Sequence, residues 1–502
     1  MTEITADSDQ AQVFGHPRGL MTLFFTEMWE RLSYYGMRAL LVLFMTDQVI
    51  NGGMGLNDRS ATAIYGIYTA LVYVVALPGG WIADRLLGAQ RAVFVGGLII
   101  MSGHFVLAIP STSAFFIGLL LVIAGTGLLK PNVSAIVGEL YPQGDPRRDA
   151  GFSIFYMGIN TGAFLGPLIS GGLGQAENFG WHWGFASAGV GMLFGVIQFW
   201  MTKHHLGTAG MHPSSSGNPA IDAQKRKNGW IVVGIGVTAA VLFVATALSG
   251  RYQLDPAKIS QQSTAVIVGM SVLFFAYVLT LGKLTRDEKQ RTLALIILLI
   301  GCAMFWSGFE QAGSSLTFFA DRYTQLEFSW FTIPSTWFQS VNALFIIMFA
   351  PVFAWLWVAL AKRNLNPSSP AKFGVGLILL AAGFLVMVGA AAIVAKGGKA
   401  MPTWLIMTYL LHTFGELALS PVGLSVTTKL APHRYVGQMM GMWFMASALG
   451  NLIAGQIAGE FDANNIAAFP GQYMDIVLTA GGAGLIMLLF SKPIKKLMHG
   501  VD

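Results

Sequence analysis

Apolar runs of about twenty residues or more recur along the chain between short polar segments, and each is long enough to cross about 30 Å of hydrocarbon as a helix. Fourteen spans are predicted, at roughly 20–50, 60–86, 92–110, 113–140, 150–174, 183–202, 229–248, 262–282, 292–320, 334–360, 373–395, 402–430, 436–460 and 472–490. The pattern predicts an all-α polytopic membrane protein. The longest polar connection, "HHLGTAGMHPSSSGNPAIDAQKRKNG", follows the sixth span and has linker composition. It divides the chain into an N-terminal six-helix bundle (1–202), a cytoplasmic linker (203–228), two additional transmembrane helices (229–282) and a C-terminal six-helix bundle (292–502).

The first span departs from the pattern. "FFTEMWERLSYYGMRALLVLF", Phe24 to Phe44, carries Glu27, Glu30, Arg31 and Arg38 at membrane depth, where charge is costly and usually functional. At about 100° per residue, Arg31 lies about 40° from Glu27, while Arg38 and Tyr34 fall about 20° to either side of it. Glu30 sits about 60° away, and Tyr35 falls on the far edge of the same face. One polar stripe with two phenols therefore runs along the helix, with Trp29, Leu32 and Leu43 outside it. A self-neutralising Glu27–Arg31 pair that only joins helices is the simpler reading. Buried pairs rarely gain net stability over apolar packing, so four charges favour a water-lined path instead.

Composition narrows the class. The 502 residues are 54% hydrophobic and only 11% charged, against about a quarter charged in a soluble protein. Mean hydropathy is +0.61. The single cysteine, Cys302, excludes an intramolecular disulfide framework. Met1 to Arg18 is polar and the first apolar segment is too long for a leader, so no signal peptide is expected. The pI near 9.3 reflects topology rather than nucleic acid. With the N-terminus inside, 21 Lys and Arg fall in cytoplasmic segments and 6 outside (Arg59, Arg251, Lys258, Arg322, Lys396 and Lys399), which predicts both termini cytoplasmic. The remaining three, Arg31, Arg38 and Lys130, fall in or near the membrane.

Two six-helix halves are the layout of the major facilitator superfamily, in which substrate sits between the halves near the midplane. "GGWIADRLLGAQR", after the second span, resembles that superfamily's cytoplasmic motif, with Gly80, Asp84, Arg85, Gly88 and Arg91 at its spacing. Glu27-x-x-Glu30-Arg31-Leu32-x-Tyr34-Tyr35-Gly36 resembles the first-helix motif of the proton-dependent oligopeptide transporter (POT) family, with Leu32 where that motif has Phe. "GTGLLKPNVSAIVGELY" with Lys130, "FSIFYMGINTGAF", "FWSGFEQAGSSLTFFADR" and "FGELALSPVGLS" resemble its fourth, fifth, seventh and tenth helices. The two spans between the halves, and a short loop where animal members carry a large extracellular domain, resemble bacterial members.

The resemblance implies a symporter that imports di- and tripeptides with protons across the bacterial cytoplasmic membrane by alternating access. A zwitterionic peptide presents a carboxylate and an ammonium a fixed distance apart. Cations Arg31, Arg38 and Lys130 lie in the N-terminal half and acids Glu310 and Glu416 in the C-terminal half, an asymmetry that matches the cargo's dipole. By resemblance, Arg31 and Lys130 face the peptide carboxylate and Glu416 its amino terminus. Tyr34, Tyr73, Asn160 and Asn342 add hydrogen bonds near the peptide backbone, and Trp306 and Trp443, with Tyr73, line side-chain pockets. Proton coupling is expected at Glu27, Glu30, Arg31 and Glu310, because a carboxyl beside an arginine can switch with the state of the pair. Gly66 stands where animal members and some bacterial ones carry a histidine, so more of the coupling falls on those acids. Arg38 and Asp321, toward the outer ends of their helices, are candidates for an outer gate; the alternative partner for Asp321 is its neighbour Arg322.

His104 and His412 match no family site and read as satisfied packing residues. Asn132-Val-Ser134 is a formal glycosylation sequon within a span, hence disregarded. Nothing in the chain suggests a cofactor, a metal site, a catalytic nucleophile, nucleic-acid binding or a required protein partner; the expected partners are peptide, protons and the bilayer. Two other readings stay open: transport of nitrate or another small anion, as in plant relatives, against which Glu416 argues, and a peptide receptor that does not move its cargo.

Overall fold

A computed structural model describes residues 12–142, 144–249 and 254–501. Arg251 and the polar residues before Gln12 lie outside them. In lipid every backbone polar group must be satisfied internally, so the apolar runs fold as helices. The long ones are α1 Gly19–Thr46, α2 Asp58–Val74, α3 Ala89–Leu107, α4 Thr112–Glu139, α5 Arg148–Gly166, α6 Trp181–Thr202, α7 Pro219–Leu248 and α8 Pro256–Leu281. They continue with α9 Arg286–Phe309, its short extension α10 Ser315–Tyr323, α11 Gln339–Lys362, α12 Ser369–Ala395, α13 Pro402–Leu430, α14 Val436–Ala458 and α15 Phe469–Leu489. Two minimal hairpins complete the list, β1 Gln12–Val13 with β2 His16–Pro17, and β3 Glu327–Phe328 with β4 Phe331–Thr332.

Counting α9 and α10 as one interrupted segment, fourteen helical segments occupy the predicted positions among the described residues, and 12 are both long and apolar enough to cross a membrane. The other two are α1, which carries the four charges, and α14, diluted by Gly437, Gly441, Gly450, Gly455 and the amides Gln438, Asn451 and Gln456. Both are long enough to span, at 28 and 23 residues.

Several helices start earlier than hydropathy predicts, because capping residues extend them into the water layer. Asn218 accepts from the amides of Ala220 and Ile221 with Pro219 in the first turn, so α7 begins about ten residues before 229. Lys225, Arg226 and Lys227 therefore lie on its first turns rather than in a coil. Asp255 caps α8 with Pro256, and Thr285 with Glu288 closes a capping box on α9. The central apolar window of α7 has no buried residue, as befits a lipid-facing helix.

The chain forms two compact units, Met1–Leu40 with Val74–Leu254, and Leu41–Tyr73 with Asp255–Asp502. In the first, α5 presses on the charged helix: a Cβ on Gly162 would lie 2.1 Å from the Met28 carbonyl oxygen and 2.9 Å from Arg31 Cβ. In the second, the aromatic core includes Phe305, Phe373, Phe384 and Tyr473, all essentially buried. Here α2 rests on α14, and a Cβ on Gly66 would meet the Asn451 carbonyl oxygen at 3.0 Å and Gly455 Cα at 3.2 Å. A side chain at Gly66 would press on the backbone of α14, which would have to give.

Gly162→Val should destabilise the first unit by the cost of overpacking, about 1–3 kcal/mol. A lower thermal midpoint of the purified protein in detergent, set against Gly234→Val at a position with open space around it, checks this.

Candidate functional site

The first unit gathers its charges on α1. Arg31 Nε lies 3.0 Å from Glu27 Oε1 and 2.5 Å from Glu30 Oε2, so one guanidinium is shared by two carboxylates. All three side chains are at most 5% exposed. The i,i+4 pair expected from the sequence forms, and Glu30 turns into it from the edge of the stripe. With both acids ionised, these three side chains sum to one negative charge, and the positive charge of Lys130 also acts on Glu27. Among the described residues, Glu27 Oε2, Glu30 Oε1 and Arg31 Nη2 have no hydrogen-bond partner, although buried polar atoms are usually satisfied. Such a site is ready for a proton, water or a ligand oxygen.

The stripe continues outward through aromatic rings. Arg31 Cζ stands 5.4 Å from the centre of the Tyr34 ring and Arg38 Cζ 5.5 Å from that of Tyr35, while the two phenols pack edge to face. Arg38 is also buried. Lys130, half-buried, precedes Pro131 inside α4, and Asn160 on α5 is buried with its Nδ2 donating to the Tyr156 carbonyl at 2.9 Å.

The second unit holds the other acids. Glu310 is buried where α9 stops: a 3₁₀ turn, Glu310–Gly313, follows Phe309, and Ser314 leaves helical geometry before α10 resumes. The continuous helix predicted over 292–320 is therefore interrupted at its acid. Gln311 braces the break, donating to the Ser307 and Ala454 carbonyls at 3.2 and 3.1 Å and accepting from Ser315 Oγ at 2.6 Å. Sequence reasoning passed over Gln311; the signal for it is an amide beside a membrane acid within Glu-Gln-Ala-Gly. Glu416 on α13 accepts from Asn342 Nδ2 at 3.1 Å, and that amide also donates to Thr413 Oγ1 at 2.9 Å. The two residues singled out on α11 and α13 thus meet.

The tryptophans differ. Trp306 is half-buried between Phe305 and Phe309, its indole beside the Cys302 thiol one turn earlier. Trp443 is buried edge-on to Phe373 and lies against Gly423. Tyr73, at the inner end of the segment 41–73, is half-buried. His104 and His412 are buried packing residues, His412 against Phe384 at 4.7 Å and beside the Leu380 backbone, while the His104 ring nitrogens find no hydrogen-bond partner among the described residues.

At the far end of α10, Arg322 grips Asp58 at the start of α2 with Nη1–Oδ2 at 2.5 Å and Nη2–Oδ1 at 2.8 Å, and stands 4.2 Å over the Phe318 ring. Asp321 Oδ1 accepts from Ser335 Oγ at 2.7 Å. The Asp58–Arg322 fork was invisible to sequence reasoning, because its partners are 264 residues apart.

A helical chain that buries ionised side chains within spans of this length is built as a multi-pass membrane transporter, and its solved relatives carry the fold of the major facilitator superfamily. The sequence profile described as the POT family matches residues 90–474. The chain belongs to that family. It is 47% identical to the uncharacterized transporter YclF of Bacillus subtilis, over 98% of this chain and 97% of that protein. It is 44% identical to the peptide transporter YePEPT of Yersinia enterocolitica, over 97% and 96%, and 40% identical to a di-/tripeptide transporter of Lactococcus lactis, over 97% and 98%. Among solved structures it superposes on a mutant of a peptide transporter POT in complex with alafosfalin, at TM-score 0.88 and 44% identity over 98% of each chain. A POT family transporter in complex with 5-aminolevulinic acid superposes at TM-score 0.85 and 35% identity, over 97% of this chain and 98% of that one.

Neutralising Asp58 or Arg322 should each cost about 1 kcal/mol, as for a partly exposed pair of good geometry. A double-mutant cycle on thermal midpoints should show the two losses to be strongly non-additive, with the charge-swapped pair Asp58→Arg, Arg322→Asp recovering part of them.

Proposed function

We propose that this chain is a proton-coupled symporter that imports di- and tripeptides across the bacterial cytoplasmic membrane by alternating access, with both termini cytoplasmic. The observation that carries the reading is the Glu27–Arg31–Glu30 cluster, buried and short of hydrogen bonds, with two acids sharing one guanidinium. While both carboxylates are ionised they hold Arg31. A proton on one of them removes half of that hold and leaves the guanidinium free to take the peptide carboxylate, together with Lys130. Release of the carboxylate returns Arg31 to its acids, which expels the proton's positive charge on the other side. Proton and peptide then travel together because each competes with the same arrangement.

In this reading Glu416, held by Asn342, receives the peptide ammonium, and Tyr34, Tyr73, Asn160 and Asn342 read its backbone. Trp306 and Trp443 border side-chain pockets. Glu310, at the break between α9 and α10, is a second proton site, where a helix already interrupted bends at small cost. Arg38 and Asp321 serve the outer gate. A small anion would have no use for Glu416. One charge moving across about 100 mV supplies about 2.3 kcal/mol, equivalent to about fifty-fold accumulation of a neutral zwitterion, enough for useful import.

Two measurements test the reading. In proteoliposomes with an imposed proton gradient, wild type should concentrate labelled dialanine, and Glu27→Gln with Glu30→Gln should abolish driven uptake while leaving peptide counterflow. Driven uptake at the wild-type rate in that variant sinks the coupling scheme. Glu416→Gln should weaken dipeptide binding by about tenfold to more than a hundredfold, as for a lost charge-assisted contact, yet leave an N-acetyl dipeptide little affected. Equal loss for free and N-acetylated peptides would remove Glu416 from the ammonium site.

A further inference from the structure

Two adjoining cavities in the second unit, of about 570 and 360 Å³, share Arg59, Ala257 and Gln261 in their walls and so form one cleft. The cleft lies where α2 and α8 begin and α14 ends. These are termini of membrane-length helices, so the cleft sits at the level of lipid headgroups rather than of acyl chains. Its charged side chains, Arg59, Lys258 and Glu460, are exposed. Arg59 and Lys258 line it, and neither forms an ion pair among the described residues. Glu460 lies across the cleft, its carboxylate likewise without an ion pair there. Asp255 is occupied otherwise, since its Oδ1 accepts from the amides of Ala257 and Lys258. The floor is a polar knot in which Gln456 Nε2 donates to Ser260 Oγ at 3.1 Å and Thr264 Oγ1 at 2.8 Å.

We propose that this cleft is a phospholipid-binding site that takes a zwitterionic phosphoethanolamine headgroup. A phosphodiester needs a forked guanidinium and a second cation, which Arg59 and Lys258 supply from two different helices. The headgroup ammonium needs a carboxylate, and Glu460, in the wall of the adjoining cavity that Arg59 shares, supplies it. The side chains on the wall between them are minimal (Ala63, Gly455 and Gly459), so a glycerol backbone can lie close against the helices. Basic pockets between transmembrane helices recognise lipid headgroups by the same rule; the added acid here shifts the preference from purely anionic lipids to an amino-phospholipid.

The cleft also bears on conformation. Its walls come from α2 and α14, the pair that meets at Gly66 and Gly455, and from α8, an additional helix that Gln456 ties to α14. A headgroup bonded to Arg59, Lys258 and Glu460 joins all three, so bound lipid holds α2 against α14.

The test is native mass spectrometry of the delipidated protein, titrated separately with phosphatidylethanolamine, phosphatidylglycerol and inorganic phosphate. Phosphatidylethanolamine should bind most tightly, and Arg59→Gln with Lys258→Gln should weaken it at least about tenfold, as for lost charge-assisted contacts. Arg59→Lys with Lys258→Arg keeps the charges and should retain most binding, which separates loss of charge from a damaged fold. Glu460→Gln should abolish the preference for phosphatidylethanolamine over phosphatidylglycerol. Wild-type binding in the double Gln variant overturns the site. If inorganic phosphate excludes the lipid, the cleft takes a free anion and the lipid assignment is wrong; if phosphatidylglycerol binds as well as phosphatidylethanolamine to the wild type, the role of Glu460 is wrong.

Discussion

Three ionised side chains within two turns of α1 would each be too costly at membrane depth if left alone. Glu27 and Glu30 are tolerable because Arg31 lies between them, and Arg31 is tolerable because two acids share it. The arrangement is not a neutral pair that could be replaced by leucine and forgotten. It holds two acids against one arginine, with oxygens that have no hydrogen-bond partner among the described residues. Around it the fold is close and unyielding: Gly162 lets α5 approach to the Met28 carbonyl, and Tyr34 and Tyr35 present ring faces to the two arginines.

The second unit handles its acids in the opposite way, by giving up helix regularity. At Glu310 the i→i−4 ladder stops for one 3₁₀ turn, and the freed groups are met by Gln311, whose side chain satisfies two carbonyls and one hydroxyl. Irregular backbone at this depth survives only when protein covers it, and Gln311 with Ala454 provides the cover. Glu416 stays on a continuous helix and is held by Asn342 from the neighbouring one. One acid sits where the helix is interrupted and the other on a continuous helix beside its amide partner.

Contacts at the ends of the helices are made by residue types that read as unremarkable in isolation. The α2–α14 crossing needs hydrogen atoms where side chains would be, and Gly66 and Gly455 provide them. The Asp58–Arg322 fork joins α2 to α10 with two short hydrogen bonds. Small residues and a water-boundary ion pair both hold through close geometry rather than through greasy area, so such contacts can part and re-form without exposing a large apolar surface.

The helices were legible in the sequence because hydrocarbon imposes a length and an apolarity on every span, and local rules suffice to see both. The polar stripe of α1 was legible for the same reason: the helical period alone places Glu27, Arg31, Tyr34 and Arg38 on one face. The capped starts of α7, α8 and α9 lay beyond hydropathy, since Asn218, Asp255 and Thr285 act in water. What only the tertiary structure decided were the contacts between distant segments: Gln311 reaching Ala454, Asn342 reaching Glu416, Arg322 reaching Asp58, and the backbone of α14 lying against Gly66. Sequence periodicity describes one helix against an averaged environment. Which residue meets which depends on how helices cross, and crossing is set by close-packed volumes that no single stretch of sequence contains.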